Sequence, residues 1–128
     1  MEIRSWACAC IVAVLFAAPA WGHHSRAMFT RPDGAITLAG TVKEISWSNP
    51  HVYLYVVVNK DGQVQNWALE GGSPYQLNEE RWPSEKLKPG DKITVNVRPL
   101  ISGGYGGLFR SIIFADGSKW NYVGATGN

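Results

Sequence analysis

Cysteine is nearly missing from this chain: of its 128 residues only Cys8 and Cys10 carry a thiol. Both fall within an apolar N-terminal run, so the folded part has no disulfide to staple it and no thiolate to act as nucleophile or metal ligand. A run of one charge is also missing. Lys43, Lys60, Lys86, Lys88, Lys92, Arg98, Arg110 and Lys119 are interleaved with acids, and the formal net charge is only +2. Without a basic stripe, nucleic acid is not expected as a partner. After residue 22 no apolar stretch approaches the roughly 20 residues of a membrane-spanning helix, so no membrane association is expected once the N-terminal run is removed.

Signatures of catalysis are equally scarce. There is no Gly-x-Ser-x-Gly elbow, no Walker loop and no dinucleotide fingerprint. The glycine-rich stretch SGGYGG, residues 102–107, lies between two strand patterns, whereas phosphate-cradling loops lead into a helix. Glu44, Glu70, Glu79, Glu80 and Glu85 are scattered over strand, helix and turn, with nothing that pairs two of them across a cleft. The expectation is a protein that is not an enzyme.

What is present begins with an export pattern. Arg4 supplies a positive start, Ala7 to Ala18 is an uncharged apolar run, and small residues follow, as in a secretory signal peptide. Cleavage after Ala20 leaves Trp21 as the new terminus, and cleavage after Gly22 leaves His23. Residues 1–22 are therefore read as a removable signal and 23–34 as a polar lead ending in the turn Arg31-Pro32-Asp33-Gly34. Residues 35–121 form the domain, and 122–128 a frayed tail. The localisation that follows is the periplasm.

Between residues 35 and 121 the chain reads as strands. In AITLAGTVKEISW, Ile36, Leu38, Gly40 and Val42 alternate, then the phase slips to Ile45 and Trp47, predicting a bulge or strong bend. HVYLYVVVN puts Val52, Leu54, Val56 and Val58 on one face and His51, Tyr53, Tyr55 and Val57 on the other. Asp61-Gly62 predicts a hairpin turn into a third strand, QVQNWALE. Ser73-Pro74 predicts a helix start, with the helix over before Pro83. KITVNVRP and LFRSIIFADG complete five strands. Three strands, a helix and two strands make the chain order of an OB-like barrel, mainly β and five-stranded; the alternative is a generic small β-sandwich or meander.

The three histidines, His23, His24 and His51, fall at the mature terminus and at the start of strand two. Imidazole is a common ligand for zinc and copper, and without cysteine these are the strong nitrogen donors available. A terminal His23 offers its amine and ring to one ion, with a second imidazole completing a T-shaped copper site. A terminal Trp21-Gly22-His23 would instead offer amine, two amides and imidazole in a square plane. The plainer alternative is a polar leader, with His51 capping the Asn49-Pro50 turn. Oxidative chemistry on the same histidines has no substrate groove behind it in the sequence. A second class of function is a binding face for a periplasmic protein partner or a glycan, formed by Trp47, Tyr53, Tyr55 and Trp67. Against it stands the usual role of such rings in packing the ends of a small barrel.

HHSRAMF at 23–29, ITLAGTVKEISWSNPH at 36–51, NWALEGGSP at 66–74 and LKPGDKITV at 87–95 together resemble a family of small exported bacterial proteins classed as a domain of unknown function. Its members begin with His-His-Ser directly after the signal peptide. One departure is visible: where the family often carries an acid soon after the AMF-like segment, this chain has Thr30-Arg31 before Asp33. The resemblance implies a periplasmic β-barrel domain and cleavage after Gly22; it implies no activity.

Overall fold

The computed structural model describes residues 26–123. Residues 1–25, which include the expected signal, His23 and His24, and residues 124–128 lie outside the described residues. Six strands follow in order: β1 (Ile36–Ser46), β2 (Tyr53–Lys60), β3 (Gln63–Glu70), β4 (Lys92–Pro99), β5 (Gly106–Ile113) and β6 (Lys119–Asn121), with one helix, α1 (Pro74–Glu79), between β3 and β4. The sheet runs β3-β2-β1-β4-β5-β6, and β3 also pairs with β5. That pairing is parallel, over Ala68–Glu70 and Gly106–Leu108, and closes β1 to β5 into a barrel. The mainly β, five-stranded barrel with one helix after strand three is the expected architecture, and its order fits the OB-like reading.

Local chemistry explains the pieces. The phase slip in β1 is a bulge: Val42 pairs with Val56, but Glu44 pairs with Tyr55, leaving Lys43 as the extra residue. A bulge bends and twists its strand, which lets β1 serve β2 with one half and β4 with the other. Gly40, two residues before Val42, runs close against β2. A Cβ there would fall 2.6 Å from both Val56 Cγ1 and the Val57 carbonyl oxygen. α1 starts on a full capping box, in which Gln76 N–H donates to Ser73 Oγ while Ser73 N–H donates to Gln76 Oε1. Each bond satisfies a donor that the first turn would otherwise leave open. Leu77 carries the helix into the core beside Leu54, Leu69, Val95, Val97, Phe109 and Ile112.

Some boundaries differ from the sequence-based expectation. β2 starts at Tyr53 rather than His51: Val52 ahead of it bonds to Gly71 and Gly72, outside the regular β2–β3 ladder. β5 starts at Gly106, inside the glycine-rich stretch, since its first residues pair with β3. β6 was not expected. Tyr122 does not belong to a frayed tail: its N–H donates to the Arg110 carbonyl at 2.8 Å and its ring stacks on Trp120. The short β6 segment was hidden because alternation over three residues is no signal. The described part of the lead, too, is tied to the body. Phe29 is buried and bridges Leu100, and Arg98 Nε donates to the Thr30 carbonyl at 2.6 Å.

The end of β3 shows how tightly the barrel is filled. A Cβ on Gly71 would stand 2.3 Å from Phe109 Cζ, and the Phe109 ring is only 1% exposed, so it has nowhere to move. Gly71→Ala should therefore destabilise the protein by about 1–3 kcal/mol through overpacking. Gly104→Ala, which meets nothing within 4 Å, should stay within about 0.5 kcal/mol of wild type. Urea denaturation of both variants checks the contrast; equal midpoints would show that the Phe109 contact is not rigid.

Candidate functional site

β2 and β3 form a hairpin whose turn, Asp61-Gly62, has positive φ at both residues. A two-residue turn of this kind pairs Lys60 with Gln63 and, further along the ladder, Tyr53 with Glu70. Residues directly opposite each other share a face, so Glu70 stands on the outer side with Tyr53. The chain just before β2 is fixed by two backbone bonds, from Val52 N–H to the Gly72 carbonyl and from Gly71 N–H to the Val52 carbonyl. Strand alternation then turns His51 to the same side as Tyr53.

The result is a three-residue cluster around one carboxylate. His51 Nδ1 lies 2.9 Å from Glu70 Oε1, and the Tyr53 hydroxyl donates to Glu70 Oε2 at 3.0 Å. Glu70 is buried, whereas the His51 side chain keeps 31% of its surface exposed. A carboxylate out of water is costly unless its oxygens are bonded, and here each oxygen has a partner. Burial, followed by the charge and hydrogen bond of Glu70, pushes the Tyr53 phenol up to about 12. Tyr55 stacks beside Tyr53, ring centroids 6.2 Å apart.

This geometry defines the chemistry of His51. When the ring is neutral and Nδ1–H donates to Glu70, Nε2 holds the lone pair. A carboxylate behind a histidine is the arrangement that orients ligand imidazoles in metal sites and raises their basicity. Among the described residues, however, no group of three or more His, Cys, Asp or Glu side chains is placed to hold an ion by itself.

The remaining candidates separate. Tyr53 and Tyr55 are half-buried beside His51. Trp47, 41% exposed, lies just beyond β1 with its ring 5.7 Å from Trp82. Trp67 is not on this face: it pairs with Val56 on the inner side, is buried, and packs against Tyr105. His23 and His24 lie outside the described residues. Glu70 is the residue that sequence reasoning missed, having been counted among scattered acids. The signal was available, because a two-residue Asp-Gly hairpin fixes the register that sets Glu70 opposite Tyr53.

One family model, described as a family of unknown function (DUF6152), matches residues 11–110. No curated protein matches, and no solved structure does.

The carboxylate cluster has a pH signature. Tyr53 in the folded state keeps its proton above the ordinary value of 10.0 and up to about 12, so the folded form binds more protons than the unfolded one across that interval. Its contribution to stability is complete below pH 10 and is lost as pH rises from about 10 to about 12. Ultraviolet titration should show one tyrosine ionising last, and Glu70→Gln should bring it down toward the others. A Tyr53 that titrates with the bulk in wild type would refute the Glu70 contact.

Proposed function

The chain belongs to DUF6152, a family of unknown function, and from that premise we propose that it is an exported small β-barrel protein that binds a transition metal, copper first, through histidine. The observation that carries the reading is the pairing of His51 Nδ1 with buried Glu70 at 2.9 Å, which presents Nε2 as a ready ligand. Copper ranks first because imidazole and amine nitrogens favour it and Cu(II) stands at the top of the divalent affinity order. Cleavage after Gly22 would add the amine and ring of His23, with His24 beside it.

Chain geometry is compatible with a ligand set shared by the terminus and His51. The lead joins the barrel ahead of β1, where Thr30 N–H donates to the Pro99 carbonyl at 2.8 Å and Ile101 N–H to the Met28 carbonyl at 2.9 Å. His51 follows the other end of β1, but barrel closure brings the two ends round toward each other: Phe29 bridges Leu100, Leu100 N–H donates to the Gly106 carbonyl, and Gly106 pairs with Ala68, two residues from Glu70. The anchor of the lead is thus about three strand spacings, roughly 15 Å, from the strand that carries Glu70. The stretch from Met28 back to His23 spans at most roughly 17 Å, a contour of the same order, so the amine and ring of His23 and the preoriented imidazole of His51 are proposed as ligands of one ion. The protein would serve in metal handling or delivery rather than in catalysis.

Two measurements test this. Mass spectrometry of the exported protein gives the terminus, expected at His23. Copper(II) titration should then show binding that is lost in His23→Ala and weakened at least several-fold in His51→Ala. If the processed wild type binds no more copper, and no more tightly, than either variant, the metal reading fails.

A second reading, favoured by the exposed Trp47 and by the Tyr53-Tyr55 pair beside a polar His51-Glu70 group, is a binding face for a protein partner or a glycan. It predicts that Trp47→Ala and Tyr55→Ala each weaken capture of that ligand at least several-fold with copper absent. Unchanged capture in both variants would remove it.

A further inference from the structure

The barrel closes along only part of β3. β5 pairs with Ala68, Leu69 and Glu70, and Ala68 N–H donates to the Tyr105 carbonyl at 3.0 Å. Strand alternation makes every second residue point its backbone groups the same way, so Asn66 and Val64, like Ala68, direct N–H and C=O away from β2. Among the described residues nothing accepts or donates on that side of Val64 and Asn66. Both are exposed, Val64 at 64%.

Open edges of this kind are commonly blunted by lysine, proline, a bulge or extreme shortness. The free edge of β6 is three residues long and begins on Lys119. The β3 edge has none of these chemical guards: Gln63, Val64, Gln65, Asn66 and Trp67 are uncharged, without proline, and pair with β2 in unbroken register. Two copies of it meet without charge repulsion.

We propose that this edge pairs with the same edge of a second copy, making a twofold dimer with a sheet continuous across β3 of both chains. Self-pairing is argued from register. With the axis at Gln65, Val64 lies opposite Asn66 of the other copy, and all four outward groups on each chain find partners. An axis on Asn66 would need Ala68, whose N–H is already committed to Tyr105. An axis on Val64 would need Gly62, a turn residue at φ 78°. The Gln65 register is therefore the one that satisfies both residues on both chains. Because a twofold contact consumes the same patch on each copy, it closes at two. The inference does not depend on metal.

The test uses the full chain with Cys8→Ser and Cys10→Ser. Light scattering behind gel filtration, over a concentration series, is expected to show a monomer giving way to a dimer. Adding Gln65→Cys should give a disulfide-linked dimer on mild oxidation, because a directly opposed pair without hydrogen bonds brings Cα atoms to about 4.5 Å, inside disulfide range. Asn66→Pro removes an N–H that the β2 ladder does not use, so the monomer should keep its circular dichroism while the dimer weakens at least roughly tenfold. A chain that stays monomeric at every concentration, or a Gln65→Cys variant that does not cross-link, overturns the proposal. So does an Asn66→Pro variant that folds and dimerises like wild type; if that variant does not fold, the cross-linking arm decides.

Discussion

The register of one hairpin governs most of what this protein presents to its surroundings. Asp61 and Gly62 both adopt positive φ, the backbone that a two-residue turn between twisted strands demands. Once Lys60 is set against Gln63, every residue of β3 is assigned a face and every backbone group a direction. Glu70 arrives opposite Tyr53, Trp67 is sent inward against Val56, and Val64 and Asn66 are left with outward amides. A slip of one residue would bury Glu70 without its partners and expose Trp67, so the hydrophobic inner row of Leu54, Val56, Trp67 and Leu69 protects the polar cluster it does not touch.

That cluster shows how a small barrel can hold a charge at its surface layer. Glu70 is flanked by the core residue Leu69 and sits at the seam where β3 meets β5, a place where an apolar side chain would pack well. What offsets the loss of water is a donor for each carboxylate oxygen, one from Tyr53 and one from His51. Asp116 makes an instructive contrast. Hydrogen bonds from Ser118 and Lys86 hold its carboxyl well below the usual range, yet it is exposed and only ties the β5–β6 turn to the segment after α1. Similar bonds order a turn in one place and orient an imidazole in the other; the difference is burial, which makes the Glu70 partners obligatory.

Much of the fold was legible because its signals are local. Alternation gave the inner and outer faces of β2, the phase slip in β1 marked the bulge at Lys43, and Ser73-Pro74 marked the start of α1. What stayed hidden depends on contacts far apart in sequence. Nothing around Ala68 announces a parallel partner at Gly106, and nothing in Phe29 announces its bridge to Leu100. Trp67 was placed on the ligand face by its residue type, although its parity with Leu69 already put it inside. Glu70 was overlooked for the opposite reason: an acid at a strand end looks like solvated surface until the hairpin is counted out.

Barrel closure also constrains how any bound metal would be held. β1 carries the chain from the Phe29 anchor at one end to the His51 turn at the other, yet the wall closes behind it: Leu100, Gly106 and Ala68 are successive neighbours from the end of β4 across β5 to β3. The anchor therefore stands about three strand spacings, roughly 15 Å, from the strand that ends in Glu70. On the metal-binding reading, terminal donors and the Glu70-oriented imidazole would then serve one ion in one chain. A single oriented nitrogen holds copper weakly by itself: affinity would come from what the terminal donors add, and specificity from the fixed direction of Nε2.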